Sequence, residues 1–188
     1  VRNIALWREC PLVGLIEENG RVTGVVARRH GQEIRISARR GVILGAGGFE
    51  RNQTMRDQYL PQPSRAEWAS TPKDNNTGDA ILAAQAVGAR LEKMDLVWGT
   101  PSVPSPAAPQ GQQPIFSERG LGGFIAVNSQ GRRFINEAIS YDRFQTAMYE
   151  EHRKSGGGIP TWIVFDAKFR KDCPMGPFLP ASIFPDAK

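Results

Sequence analysis

Two short turn signals, Asn19-Gly20 and His30-Gly31, punctuate an otherwise apolar stretch and constrain this chain more than anything else in it. Asn-Gly at the centre of a tight turn accepts positive φ at both positions, which is what a two-residue hairpin needs. His30-Gly31 serves the same way. "PLVGLIEENGRVTGVVARRHGQEIRIS" is therefore expected to fold as a three-stranded antiparallel meander. The run that follows, "RGVILGAGGFERN", is apolar almost continuously over Val42–Ala46 and then stops at Gly47-Gly48. Continuous rather than alternating apolar residues predict a strand covered on both faces, as in a parallel sheet. The glycine pair lets backbone come very close to something. On the residues alone, that neighbour is either the next helix or a ligand's phosphates or ring. No GxGxxG precedes it.

Further along, Asn52–Tyr59 predicts a short helix closed by Leu60-Pro61. "NNTGDAILAAQAVGARLEKMD" predicts another, with Thr77 as cap, Asp79 at its positive end and Gly88 near its finish. Its residues Ile81, Leu82, Ala84, Ala86 and Val87 are expected to face the core. Residues 98–123 are rich in proline and glycine and read as a long structureless loop, a feature that is often functional. "GFIAVNSQGRRFINE" reads as strand, turn, strand. Ser140–Arg153 reads as a helix with Ser140 as cap and Tyr141, Phe144 and Met148 along one side. "TWIVFD" reads as a strand, and Ala167–Lys171 begins a last helix.

At 188 residues, 40% apolar and 23% charged, the chain is long enough to bury a core. Its net charge of +5 comes from scattered residues such as Arg28-Arg29, Arg39-Arg40 and Arg132-Arg133. No basic stripe is interleaved with aromatics, which argues against a nucleic-acid partner. Cys10 and Cys173 have neither metal-ligand nor redox spacing and read as buried free thiols, in keeping with a reducing, cytoplasmic setting. His30 and His152 are lone histidines expected at the surface. No apolar run is long enough for a transmembrane segment, and no signal peptide is apparent. The chain starts at Val1 and reads as a piece of a longer protein.

Three stretches occurring in order carry a resemblance: "GVILGAGGFERNQTMRDQYLP", "NNTGDAILAAQAVGARLEKMD" and "GGFIAVNSQGRRFINEAISYDRFQTAMY". Together with "PTWIVFDAKFRKDCPMGPFLP" they resemble the flavoproteins that include fumarate reductases and 3-ketosteroid dehydrogenases. The resemblance covers nearly the whole chain. It implies an α/β (mixed α+β) fold in two parts. Residues 1–94 would be the C-terminal part of a Rossmann-like FAD-binding domain lacking its GxGxxG. Residues 95–188 would be most of a substrate-binding cap domain. The N- and C-terminal parts of the parent chain would complete the protein, and the piece alone would be colourless and inactive.

The same resemblance implies FAD as cofactor. Ala46, Gly47, Gly48 and Phe49 match the glycine turn beside the flavin, Gly78 and Asp79 a second flavin-side turn, and Pro11 and Leu12 a strand start near the adenine. Ordinary close packing and helix capping are the competing readings. Fumarate reductases carry a His-Pro pair and a relay arginine that bind or serve a dicarboxylate. Here "VWGTPS" has no histidine, and Tyr141 stands where the arginine is expected. Asn136, Glu137 and Tyr141 instead match the Asn-Glu-x-x-x-Tyr pattern of the ketosteroid dehydrogenases.

That points to desaturation of a steroid-like ketone, in which one proton and one hydride leave. Flavin takes the hydride and Tyr141 the proton. A phenol ordinarily ionises near ~10, and a position in a helix's first turn favours its anion. The alternative is a core tyrosine whose hydroxyl bonds a backbone carbonyl. Phe116, Leu121, Trp98 and Pro101 would line an apolar pocket, or merely pin the loop. Arg133 and Glu137 are expected to pair with each other. Two other functions remain open: a fumarate-reductase-like flavoprotein acting on another enone or enoate, and a non-catalytic binding domain.

Overall fold

The computed structural model describes residues 4–105, 108 and 111–183. Strands β1 (Leu12–Glu18), β2 (Arg21–Arg29) and β3 (Gln32–Ser37) form the expected antiparallel meander in the order β1-β2-β3. Both turns are left-handed at both positions: Asn19 and Gly20 have φ of 54° and 77°, His30 and Gly31 of 50° and 79°. That matches the right-handed twist of the paired strands.

The expected strand over Val42–Ala46 does not form. A strand exists through its pairing, and no described residue pairs with this run. Ile43 is accordingly 98% exposed. All strand pairing among the described residues is antiparallel.

Helix α1 (Gln53–Tyr59) starts at Asn52, whose side-chain oxygen accepts from Met55 N at 3.1 Å. Helix α2 (Asp79–Ala86) packs on β1. Its cap is Gly78, with φ of 85°, and not Thr77; the Thr77 hydroxyl donates to Asp79 at 2.9 Å instead. The buried face of α2 is centred on Ala80 and Ala83, while Leu82 is exposed. Small residues are what let the helix lie close to the meander.

The proline-rich stretch is less structureless than expected. Strands β4 (Ser102–Pro104) and β5 (Gln112–Pro114) pair as a hairpin, followed by a 3₁₀ turn over Glu118–Gly120. Strand β6 (Phe124–Val127) pairs with β7 (Trp162–Phe165) and not with the segment after its own turn, where Val127–Arg133 is a single bridge. The intervening helix α3 (Tyr141–Ser155) ends at Gly156, left-handed at φ 72°. Helix α4 (Ala167–Asp172) is capped by Asp166, which accepts from Phe169 N at 2.7 Å.

A core of Ile115, Phe124, Phe169 and Met175 binds hairpin, sheet and α4 together, with Val103, Ile163 and Cys173 at its margin. Both cysteines are free and only half-buried, not buried. His152 is half-buried, and its Nδ1 accepts from Ile159 N at 3.3 Å beyond the end of α3. The fold is thus mixed α/β, built on small antiparallel sheets.

Candidate functional site

The two glycine turns singled out in the sequence meet. Gly78 N donates to Gly48 O at 3.0 Å, Arg51 N to Asn76 O at 3.2 Å, and the Asn52 amide to Thr77 O at 2.9 Å. Asn76 also donates to Glu50. A Cβ at Gly47 would lie 2.3 Å from Asn76 Oδ1, and one at Gly78 2.5 Å from Met55 Sδ. The space those glycines leave is therefore filled by this chain's own residues. Both also hold positive φ, 81° and 85°, which disfavours any side chain.

The turn keeps a second property. None of the backbone N–H groups of Ala46, Gly47, Gly48 and Phe49 donates a hydrogen bond among the described residues. Ala46 and Gly47 are exposed. A row of free donors beside a helix start fits a ligand rich in acceptor atoms, as FAD is. Asp79 opens α2 next to this node. Pro11 and Leu12 lie at the start of β1, where Pro11 O accepts from Arg28 N at 3.0 Å. No hydrogen bond or ring contact joins them to the glycine node among the described residues.

Tyr141 begins α3 and is half-buried. Two aromatic residues picked out in the sequence as pocket walls hold its ring. Trp98 stacks on it with centroids 6.3 Å apart and planes 10° from parallel. Phe116 meets it edge-on at 5.3 Å and 88°. Stacked and edge-on packing are the two arrangements the ring quadrupole favours. Trp98 is nonetheless 82% exposed, so one face of the clamp is open. The Tyr141 hydroxyl forms no hydrogen bond among the described residues, unlike a core tyrosine tied to a carbonyl. Leu121 lies apart from this clamp. It lines a neighbouring open groove of about 610 Å³ with Phe124, Ile125 and Val164. Pro101 is buried, and its carbonyl accepts from Ile115 N at 3.0 Å.

The segment leading into Tyr141 is held by charge. Arg133 grips Glu137 with both Nε, at 3.0 Å, and Nη2, at 2.6 Å, and Ala126 N donates to the same carboxylate at 2.8 Å. Burial alone would raise the Glu137 pKa, but these hydrogen bonds outweigh it and hold the carboxyl below its ordinary range. Asp142, beside Tyr141, is also held low, first by a hydrogen bond from Ser140 and against a smaller effect of burial.

Sequence reasoning missed Arg119. It is buried under the clamp and donates to three backbone carbonyls, with burial lowering its pKa against the pull of Glu118 and Asp142. It missed Gly99 as well, where a Cβ would meet the Gln145 side chain of α3 at 2.4 Å. A lone arginine in a proline- and glycine-rich loop was the available signal for the first. Nothing local marked the second.

Among the described residues no cluster of His, Cys, Asp and Glu could hold a metal, and no helix is long and apolar enough to cross a membrane. Compared with known proteins, residues 1–185 match the model of the FAD binding domain family. The chain is 42% identical to a 3-oxosteroid 1-dehydrogenase of Comamonas testosteroni, a match covering 98% of this chain and 32% of that protein. It is similar to the crystal structure of a 3-ketosteroid delta1-dehydrogenase from Sterolibacterium denitrificans in complex with 1,4-androstadiene-3,17-dione. That similarity has a TM-score of 0.94 at 52% identity, over 98% of this chain and 33% of that one. A probable fumarate reductase of Shewanella frigidimarina is more distant, at 29% identity over 85% of this chain and 25% of that protein. The chain spans about a third of the length of the steroid dehydrogenases it matches.

Proposed function

The chain belongs to the FAD binding domain family, and from that premise we propose that it is a segment of a flavin-dependent dehydrogenase that desaturates a 3-ketosteroid-like substrate. The observation that carries this reading is the Tyr141 clamp: a phenol with an unengaged hydroxyl, gripped by two aromatic rings at the start of a helix. The higher identity to 3-ketosteroid dehydrogenases than to the fumarate reductase supports the choice of substrate class. In this reading residues 1–94 end the flavin-binding domain and 95–188 form most of a cap. The exposed Ile4, Leu6 and Ile43 support neighbours from a longer chain.

FAD, when bound, supplies the two-electron acceptor for the hydrogen that leaves with its electron pair. The residues of this chain do the rest. The N–H groups of Ala46 to Phe49 would hold the cofactor, and the Gly78–Asp79 turn would buttress them. Tyr141 takes the proton from the carbon beside the ketone, so the C–H electrons are left to form the new double bond as the hydride departs. Trp98 and Phe116 hold the phenol ring and offer exposed apolar surface to a steroid. Leu121 extends that surface toward the adjoining groove.

Replacing Tyr141 by Phe in the full-length flavoprotein tests the reading. Flavin reduction by a 3-ketosteroid, followed in stopped flow, slows by ~10²–10⁴-fold while FAD stays bound. An unchanged rate returns Tyr141 to a packing role.

A further inference from the structure

We propose that Arg119 is the positioning residue for Tyr141, because one buried guanidinium ties together the two backbone segments that set the tyrosine's ring. This rests on the reading of Tyr141 as the proton acceptor.

Arg119 sits in the 3₁₀ turn over Glu118–Gly120 and is 4% exposed. Its Nε donates to Ile115 O at 3.1 Å. Its Nη1 donates to Glu137 O at 3.2 Å and to Ile139 O at 2.9 Å. Two of these carbonyls adjoin clamp residues in the chain. Ile115 directly precedes Phe116, the edge-on wall of Tyr141. Ile139 is separated from Tyr141 by Ser140 alone. The guanidinium also lies over the ring of Phe144, 5.2 Å from its centroid and one helical turn beyond Tyr141. Wall and base are thus referenced to one guanidinium, through its Nε and Nη1. Displacing the guanidinium moves Phe116 and the start of α3 relative to each other.

Stability alone is a poor account of this arrangement. No carboxylate lies within ion-pair distance of Arg119 among the described residues. A cation hydrogen-bonded only to neutral carbonyls, with Glu118 and Asp142 acting on it from beyond ion-pair distance, is costly to desolvate. What the planar fork supplies is geometry: fixed donors that hold separate segments at set angles. Lysine keeps the charge but has no such fork, so Arg119→Lys isolates the geometric contribution.

The test is a double-mutant cycle in the full-length flavoprotein, read by stopped-flow flavin reduction with a 3-ketosteroid and with the same steroid deuterated beside the ketone. Arg119→Lys slows reduction by ~10²-fold, as a base misplaced by about an ångström would. FAD content and the substrate concentration at half-saturation stay near the parent's, and the isotope effect is fully expressed. In a Tyr141→Phe background the same change slows nothing further, because the group it positions is gone. Phe116→Ala, which removes the wall that Arg119 sets, gives at saturating steroid a smaller slowing that also vanishes in that background; it serves if Arg119→Lys does not fold. Equal slowing with and without Tyr141, or none with it, overturns the inference and leaves the base reading standing. A Tyr141→Phe enzyme as fast as its parent overturns both.

Discussion

Helix α3 carries a tyrosine at its first residue and another, Tyr149, about two turns later, and the two are handled in opposite ways. Tyr149 is half-buried, like Tyr141, but its hydroxyl donates to Pro63 O at 3.2 Å. Burial pushes its pKa up, against the pull of the nearby Arg56 guanidinium. Tyr141 is half-buried, its ring is held by Trp98 and Phe116, and its hydroxyl is left without a partner among the described residues. One end of the helix uses a phenol as a strut. The other holds the ring and leaves the oxygen available. Residue type and helix position do not make that difference; segments far away in the chain do.

The kinetic form of the contrast has the largest expected effect. Tyr141→Phe costs ~10²–10⁴-fold in flavin reduction, whereas Tyr149→Phe leaves the rate near the parent's. Comparable slowing from both changes breaks the comparison and makes the whole helix, rather than its first residue, the functional unit.

Local signals were well readable in the sequence. The two hairpin turns fixed the meander, and Asn52 and Asp166 capped their helices through side-chain oxygens. Phe116, Leu121, Trp98 and Pro101 were expected to line an apolar pocket and Tyr141 came from the family motif; Trp98 and Phe116 alone of the four hold the Tyr141 ring. What failed depended on distant partners. Val42–Ala46 has the composition of a buried strand but finds no strand to pair with among the described residues. The pairing of β6 with β7 spans the whole of α3, and no turn signal announces a contact of that range. Arg119 was invisible for the same reason: its three carbonyl partners lie on both sides of β6 in the chain.

The glycine node sharpens the comparison from the other side, since it is a region set by backbone and not by side chains. Gly78→Ala places a Cβ at φ 85°, 2.5 Å from Met55 Sδ and 3.1 Å from Phe49 Cβ. Strain and overpacking together should cost ~2–4 kcal/mol in denaturant unfolding of the full-length protein, with loss of flavin. Gly14→Ala, with nothing within 4 Å and no positive φ, is the control and should be close to neutral.

Glu137 anchors the approach to Tyr141, and its effect depends on pH. Its carboxyl titrates lower in the folded state than in the unfolded chain. The stabilisation it brings is therefore present above the ordinary carboxylate value of ~4.3 and is lost as pH falls through the folded value. Glu137→Gln should lower stability by ~1–2 kcal/mol at neutral pH, toward the small end because the Arg133 side chain is 56% exposed and screened. Acid unfolding curves should show the difference between variant and parent shrinking below about pH 4. A gap that persists at low pH would assign the loss to packing and not to the ion pair.

The smallest effect belongs to the strut. Tyr149→Phe keeps the ring and removes one neutral hydrogen bond to Pro63 O, which is worth about 0.5–1.5 kcal/mol. Its sign with pH is opposite to that of Glu137. Because the folded pKa is raised, the folded state holds the phenolic proton after the unfolded chain has begun to release it. The contribution of Tyr149 is then fully present below about pH 10 and declines as pH rises beyond it. Phenylalanine has no proton to lose, so the variant should be slightly less stable than the parent at neutral pH and should close that gap in alkali. Unfolding midpoints measured from neutral pH upward decide it. Parallel curves would mean that the Tyr149 hydroxyl is not confined as its burial beside Arg56 and Pro63 requires, and the two ends of the helix would then differ less than their surroundings do.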